Sequence, residues 1–548
     1  MAAKLDGIRM QILWNKLMAI ADEAAVALKR TSFSTVLRES NDFAVVLLDS
    51  TGDSLCHGTL SVATFSGIAA TTVKHLLRVK GRDWFHEGDA VITNDPWLAS
   101  GHKPDISIIT PIFYEHRLIG FVGTSGHVAD IGGIGQSPDA HSLFEEGLGI
   151  PPLKFITAAG YNQDVIDIIR DNVRVPDEVI GDCNAQLSAG RLAARRITEL
   201  LDEEDLEDLD EVGADLMDRA ERSMRRAISE VPDGSYHYEA VTDGFDEPIV
   251  IAVTVVVDGD ELVLDFTGSS PQSERGINVV PNYATALSSY ALKCLLDPFT
   301  PKNEGSFRPF RQYILPEGSI LNPRKPAPVF GRSLVGHVTT SAVFGALAEA
   351  LPDRVIADSG SCPGIRPHFH GEHRGRPFAF VLFANGGMGA RSTKDGLSVT
   401  GFPTNADCAS MEVLENIVPL RCWRQELRPD SGGAGRLRGG LGQQLEIEYV
   451  ADSTGMLGMM SERHEHPAFG LFGGGSGSKT IALLNGVDAP HKGRATLRPG
   501  DRLEVRYPGG GGYGDPHERD EAKVRQDVEY GYVSADAARE LYGWNGEA

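Results

Sequence analysis

The stretch HKPDISIITPIFYEHRLIGFVGTSGHVAD, residues 102–130, holds two β-like runs, Ile106–Phe113 and Leu118–Val122, around the polar segment Tyr114–Arg117. Branched and aromatic residues on both sides of a short polar break predict an antiparallel hairpin. Centring the turn between Glu115 and His116 pairs residues whose numbers sum to about 231. Asp105 then lies opposite Gly126, beside His127, and His102 lies near Ala129 and Asp130. Two His-x-x-Asp units, His102–Asp105 and His127–Asp130, therefore meet at the open end of one hairpin.

Two imidazoles with one or two carboxylates make a suitable set of ligands for Zn²⁺, Mn²⁺ or Fe²⁺. A carboxylate that does not bind the ion, Asp130 above all, can orient a ligand histidine or move a proton. Asp42, in Glu39-Ser-Asn-Asp-Phe43, is a possible third contributor, although pattern alone reads it as a turn or strand-start residue. His57, in Cys56-His-Gly58, ranks below it. Asn278, Asn282, Arg332 and His337 are polar residues in suggestive company and are read as ordinary loop residues.

Outward from the hairpin the same strand–turn–strand grammar recurs. Phe43–Asp49 followed by Ser50-Thr-Gly-Asp53 reads as a strand and turn, and Ile249–Val257 with Glu261–Phe266 as a second pair. Helical spacing appears over the first 30 residues, over 165–230, 284–296 and 333–351, and in the closing segments 518–525 and 535–541. The carboxylates crowded between Leu201 and Glu211 recur around Leu206, Leu209 and Leu216. They read as the solvated face of a helix and not as an ion site. The glycine clusters 431–442, 473–477 and 509–514 read as turns between short strands. The expected fold is mixed α and β, multi-layered and β-rich with many hairpins. Its regions are 1–195 with the metal site, 196–425 as a central α/β part, and 426–548 as a glycine-rich β part with a C-terminal helix.

Composition removes several classes of function. The 548 residues carry a formal net charge of −24, so no excess of lysine and arginine exists to neutralise a nucleic-acid backbone. No apolar run is long enough to cross a bilayer, and no export signal opens the chain. Six cysteines lie singly with no C-x-x-C pair, which suits reduced thiols and a cytoplasmic location. No G-x-x-x-x-G-K-[ST] occurs. In Gly473–Thr480 a serine, Ser478, stands where the second glycine belongs, and a β-like run follows where a phosphate loop needs a helix. Neither a Rossmann nor a P-loop domain is expected, and no G-x-S-x-G elbow anchors a hydrolase triad.

Several longer motifs carry a resemblance: Asn94-Asp-Pro-Trp97, His102-Lys-Pro-Asp105, His127-Val-Ala-Asp-Ile-Gly-Gly133, Glu146-Gly-Leu-Gly-Ile-Pro-Pro152, Pro316–Pro323, Gly435–Gly442 and Pro508–Pro516, with Val533–Ala538. Through them the chain resembles, nearly end to end, the hydantoinase B family, which is related to part of 5-oxoprolinase and to the alpha subunit of acetone carboxylase. The resemblance implies a hetero-oligomer in which an ATP-binding, hydantoinase A-like partner uses ATP-Mg to phosphorylate the substrate oxygen. The B-like subunit holds a divalent transition metal and helps convert the activated intermediate. It places the metal ligands on His102, Asp105 and His127, and the carboxylate before the first strand on Asp42. The chemistry it implies is ATP-dependent hydrolysis of a cyclic amide. A subunit of an ATP-dependent ketone carboxylase and a non-catalytic structural subunit are the alternatives.

Overall fold

The computed structural model describes residues 7–65, 67–135 and 137–546; the first six residues of the expected N-terminal helix lie outside them. Mixed α and β layers are built on four sheets. The first is antiparallel and seven-stranded, in the order Ser54–His57, Phe43–Asp49, Arg117–His127, Asp105–Tyr114, Ala90–Thr93, Leu153–Thr157, Gly160–Tyr161. Helices Gly7–Thr31 and Pro176–Glu204 pack on one face through Leu17, Ala21, Ala189 and Ile197. Helix Ile68–Lys80 covers the other through Ala69 and Val73. Coverage on both faces is why Phe43–Asp49 is an unbroken apolar run, with all seven residues buried. The helix on that second face can approach closely because Gly123 leaves room: a Cβ there would stand 2.6 Å from that of Ala69.

The hairpin turns where the sequence places it, with Tyr114 opposite Arg117 and positive φ at Glu115 and His116. A bulge between Ile112 and Phe113 then shifts the register by one residue. Asp105 consequently lies directly opposite His127 and not opposite Gly126. The shift brings the carboxylate closer to the second histidine than uninterrupted pairing would.

A second sheet, Phe310–Ile314, Glu261–Asp265, Ile249–Asp258 and Gly234–Thr242, packs against helices Pro281–Leu296 and Val338–Leu347. Two further sheets share one core, where Phe369, Phe380 and Leu457 of one meet Leu445, Ile447 and Val505 of the other. The sheets group the chain as 43–161, 234–314 and 366–506. Residue 195 lies within the Pro176–Glu204 helix, and residue 425 within the Leu420–Leu427 strand.

Three local expectations are corrected. The acidic stretch 201–211 is not one helix: Asp205 caps the first helix at φ 54, and a new helix starts at Asp210, with Asp208 accepting from its first backbone N–H. The 333–351 helix is interrupted at His337. The glycine clusters are not mainly turns, since only Gly473 and Gly514 among them have positive φ. Instead, extended segments lie against one another, with Gly433 N–H donating to Gly510, Gly510 to Gly440, and Gly512 to Gly475. A Cβ at Gly510 would stand 2.2 Å from the Met388 carbonyl oxygen, so close backbone approach is what requires glycine here.

Candidate metal centre

The bulged hairpin end brings His102, Asp105 and His127 together, each buried, with ligand atoms within 4.8 Å of one another. The loop before the first strand delivers His102, the first residue of that strand is Asp105, and the last residue of the second is His127. Asp105 Oδ1 lies 2.8 Å from His102 Nε2 and 2.9 Å from His127 Nδ1. Its Oδ2 accepts from Arg332 Nη2 at 2.5 Å. Burial opposes ionisation of Asp105. The Arg332 guanidinium, with the hydrogen bond from His127 Nδ1, outweighs it and holds the carboxyl well below the usual range.

The histidine tautomers indicate what the centre lacks. His102 Nδ1 lies 2.7 Å from the Phe330 carbonyl oxygen, which can only accept, so Nδ1 carries the proton. Burial, followed by the Arg332 charge, lowers the His102 pKa to about 4, so the ring is neutral at pH 7. Its Nε2 lone pair therefore faces a carboxylate oxygen at 2.8 Å, an arrangement that a cation between the two would relieve. His127 Nε2 is buried without a hydrogen-bond partner among the described residues. A lone pair facing a carboxylate oxygen, with an unpartnered imidazole nitrogen on the neighbouring histidine, fits a divalent metal ion.

His102 and His127 line a cavity of about 60 Å³, with Asp42, Tyr283, Phe330, Arg332 and His337. Asp42 is tied to His127 through the backbone, its carbonyl oxygen accepting from the His127 N–H at 3.1 Å. Burial raises the Asp42 pKa, so that carboxyl holds a proton more readily than a solvated one. Its oxygens stand outside the close group formed by the other three residues.

Asp130 does not make the contact expected of it. Both its oxygens are taken by Arg174, one by the guanidinium at 2.7 Å and one by the backbone N–H at 2.6 Å. The orienting contact to His127 comes from Asp105 instead. His57 is buried in the first sheet and does not line the cavity. Asn278 binds a backbone carbonyl from a loop as expected, whereas Asn282 does so from the first turn of the Pro281–Leu296 helix, and His337 Nε2 lies 3.1 Å from the Tyr283 hydroxyl. Arg332 departs from that reading. Its guanidinium pairs with Asp105 and lies 4.1 Å over the Tyr283 ring. No local pattern marks Arg332 as part of the centre, because its partner is 227 positions away.

Glu146 supports the centre from behind. Its Oε1 accepts from the backbone N–H groups of Val329 and Phe330, holding the carbonyl that fixes His102. Burial raises the Glu146 pKa from 4.5 to about 8. Between those values the folded protein binds the proton that the unfolded chain has released, so stability falls as pH rises through this window. Glu146→Gln is expected to flatten the decline, which amounts to a few kcal/mol between pH 5 and 8. Urea unfolding at several pH values reads it directly, and an unchanged slope would contradict the assignment.

A sequence model of the family described as Hydantoinase B/oxoprolinase matches residues 6–516. The chain belongs to the hydantoinase B/oxoprolinase family. Its relatives include a protein of Pseudomonas sp. strain NS671 provisionally named as the B subunit of a D-/L-hydantoinase, 32% identical over 98% of this chain and 95% of that one. The beta subunit of the caprolactamase of Pseudomonas jessenii is 31% identical over 98% of this chain and 96% of its own. The crystal structure of the ATP-dependent caprolactamase from the same organism superposes with a TM-score of 0.93 at 29% identity, covering 100% of this chain and 98% of the other. A nucleotide-free acetone carboxylase chain shares the fold, with a TM-score of 0.87 at 20% identity over 98% of this chain and 79% of that one. Family relatives are thus named as subunits of larger enzymes, and the mixed α/β fold is that of the caprolactamase. Among the described residues no helix is long and apolar enough to cross a membrane.

Proposed function

We propose that this chain is the metal-bearing B subunit of an ATP-dependent cyclic-amide hydrolase, working with an ATP-binding, hydantoinase A-like partner. The observation that carries the reading is the buried His102–Asp105–His127 triad, whose two histidines line a cavity, in a chain that matches the family over nearly its whole length. His102 and His127 supply nitrogen ligands and Asp105 an oxygen, and Asp42 adds a carboxylate on the cavity wall. A divalent ion bound there supplies Lewis acidity toward a carbonyl or a water. Arg332 keeps Asp105 ionised and aimed, while the Phe330 carbonyl keeps the His102 proton on Nδ1 and its Nε2 free. Phe330 and Phe383 give the cavity an apolar wall. Burial raises the Asp42 pKa, and its carboxyl lies on the wall of the same cavity, beside the triad.

Co-expression with the partner and a screen of hydantoins, lactams and ketones tests the assignment. The expected result is ring opening that requires ATP, both subunits and the metal. Bicarbonate-dependent ATP turnover with ketones and none with cyclic amides would assign the chain to the carboxylase branch instead.

A further inference from the structure

Two lysines are buried among the described residues, Lys103 and Lys293. Lys293 pairs with the Asp297 carboxylate at 2.8 Å. Lys103, only 6% exposed, has no carboxylate within ion-pair distance among the described residues. Its Nζ donates to the carbonyl oxygens of Leu143 and Gly147 at 2.7 and 2.6 Å, which leaves the third N–H of the ammonium unused. Glu146 is the carboxylate whose field reaches it, but Glu146 Oε1 is committed to the Val329 and Phe330 N–H groups. A buried ammonium bonded only to neutral carbonyls is unfavourable, and an anion on its open side offsets that.

Lys103 lines a surface pocket of about 610 Å³ that shares no lining residue with the metal cavity. Gly149, exposed on the same pocket, lies over the lysine head. A Cβ there would stand 3.7 Å from Lys103 Cε and 3.9 Å from Nζ. Those are ordinary contacts, and the φ of Gly149 is outside the left-handed region, so neither crowding nor backbone conformation demands glycine. A bare backbone at this position keeps the approach to Nζ open. Asp95 is the acid among the lining residues, and it pairs with Lys325 at 3.2 Å, so the Lys103 charge is unmatched within the pocket. Pro96, Leu143, Leu148 and the 80% exposed Phe144 supply an apolar wall.

We infer that this pocket binds a small monocarboxylic acid with an aliphatic body, its carboxylate on Lys103 Nζ and its chain along the apolar wall. The inference is independent of the hydrolase reading, and its test needs neither ATP nor turnover. Calorimetric titration of the full chain with hexanoate is expected to show saturable binding. Hexanamide, without the charge, and acetate, without the chain, should each bind at least roughly ten-fold more weakly. Lys103→Met should remove the preference for acid over amide. Gly149→Asp places a carboxylate within reach of Nζ and should abolish hexanoate binding while leaving the metal cavity untouched. It also decides the matter if Lys103→Met fails to fold, which thermal unfolding reads. Hexanoate bound no tighter than hexanamide or acetate overturns the inference. So does undiminished binding in Gly149→Asp or in folded Lys103→Met, or no binding of hexanoate at about 10 mM.

Discussion

Asp105→Ala should destabilise the protein by about 3–5 kcal/mol, the range for breaking one partner out of a buried ion pair. The carboxylate is 1% exposed and serves three partners, His102, His127 and Arg332. Its removal strands the Arg332 guanidinium, which is itself 5% exposed and has no other carboxylate within ion-pair distance among the described residues. The penalty should therefore come mainly from the abandoned arginine and only partly from the lost contacts. A second substitution separates the two: Asp105→Ala with Arg332→Met should recover most of the stability, because neither charge remains buried. The double variant should still bind no metal. Urea unfolding of the single and double variants measures the effect, and a single variant within about 1 kcal/mol of the parent would refute the coupling. The pH dependence agrees in sign. A carboxyl held below its unfolded pKa contributes stability at neutral pH, and that contribution is lost only as pH falls into strong acid.

How much of this was legible in the sequence differs by feature, for physical reasons. The hairpin and its turn at Glu115–His116 follow from local alternation and polarity, and the two histidines therefore meet as expected. The bulge at Ile112–Phe113 leaves no local mark, yet it decides that Asp105 faces His127 directly. Asp130 is equivalent to Asp105 by spacing alone. The two part because Asp105 begins a paired strand, whereas Asp130 lies beyond the ladder, where Arg174 claims it. Arg332 reaches the cavity from a distant segment, so its role depends on tertiary packing that no periodicity encodes. Glycine misleads in another way. Composition marks where the backbone needs freedom or space, and turns are the commoner demand, but Gly433, Gly510 and Gly512 meet the other one.

Replacing both histidines should have the largest effect on function. The chain as purified is expected to carry close to one divalent metal per molecule, and His102→Ala with His127→Ala should reduce this to about a tenth or less, since one carboxylate seldom holds such an ion. ATP-dependent turnover in the reconstituted complex should fall by roughly a thousand-fold or more, the scale of several kcal/mol of lost Lewis-acid stabilisation. The fold should tolerate this pair better than the loss of Asp105, because the neutral His102 imidazole leaves no buried charge behind and the Asp105 carboxylate keeps Arg332 as its partner. His102→Ala releases the Phe330 carbonyl and one contact of Asp105, and the Arg332–Asp105 pair stays closed. Unchanged unfolding with lost metal would thus separate a chemical role for the histidines from a structural one. Partner binding provides the remaining control. A variant that assembles normally but is inert excludes a purely structural role for the chain, whereas full metal content in the double variant would place the ion elsewhere.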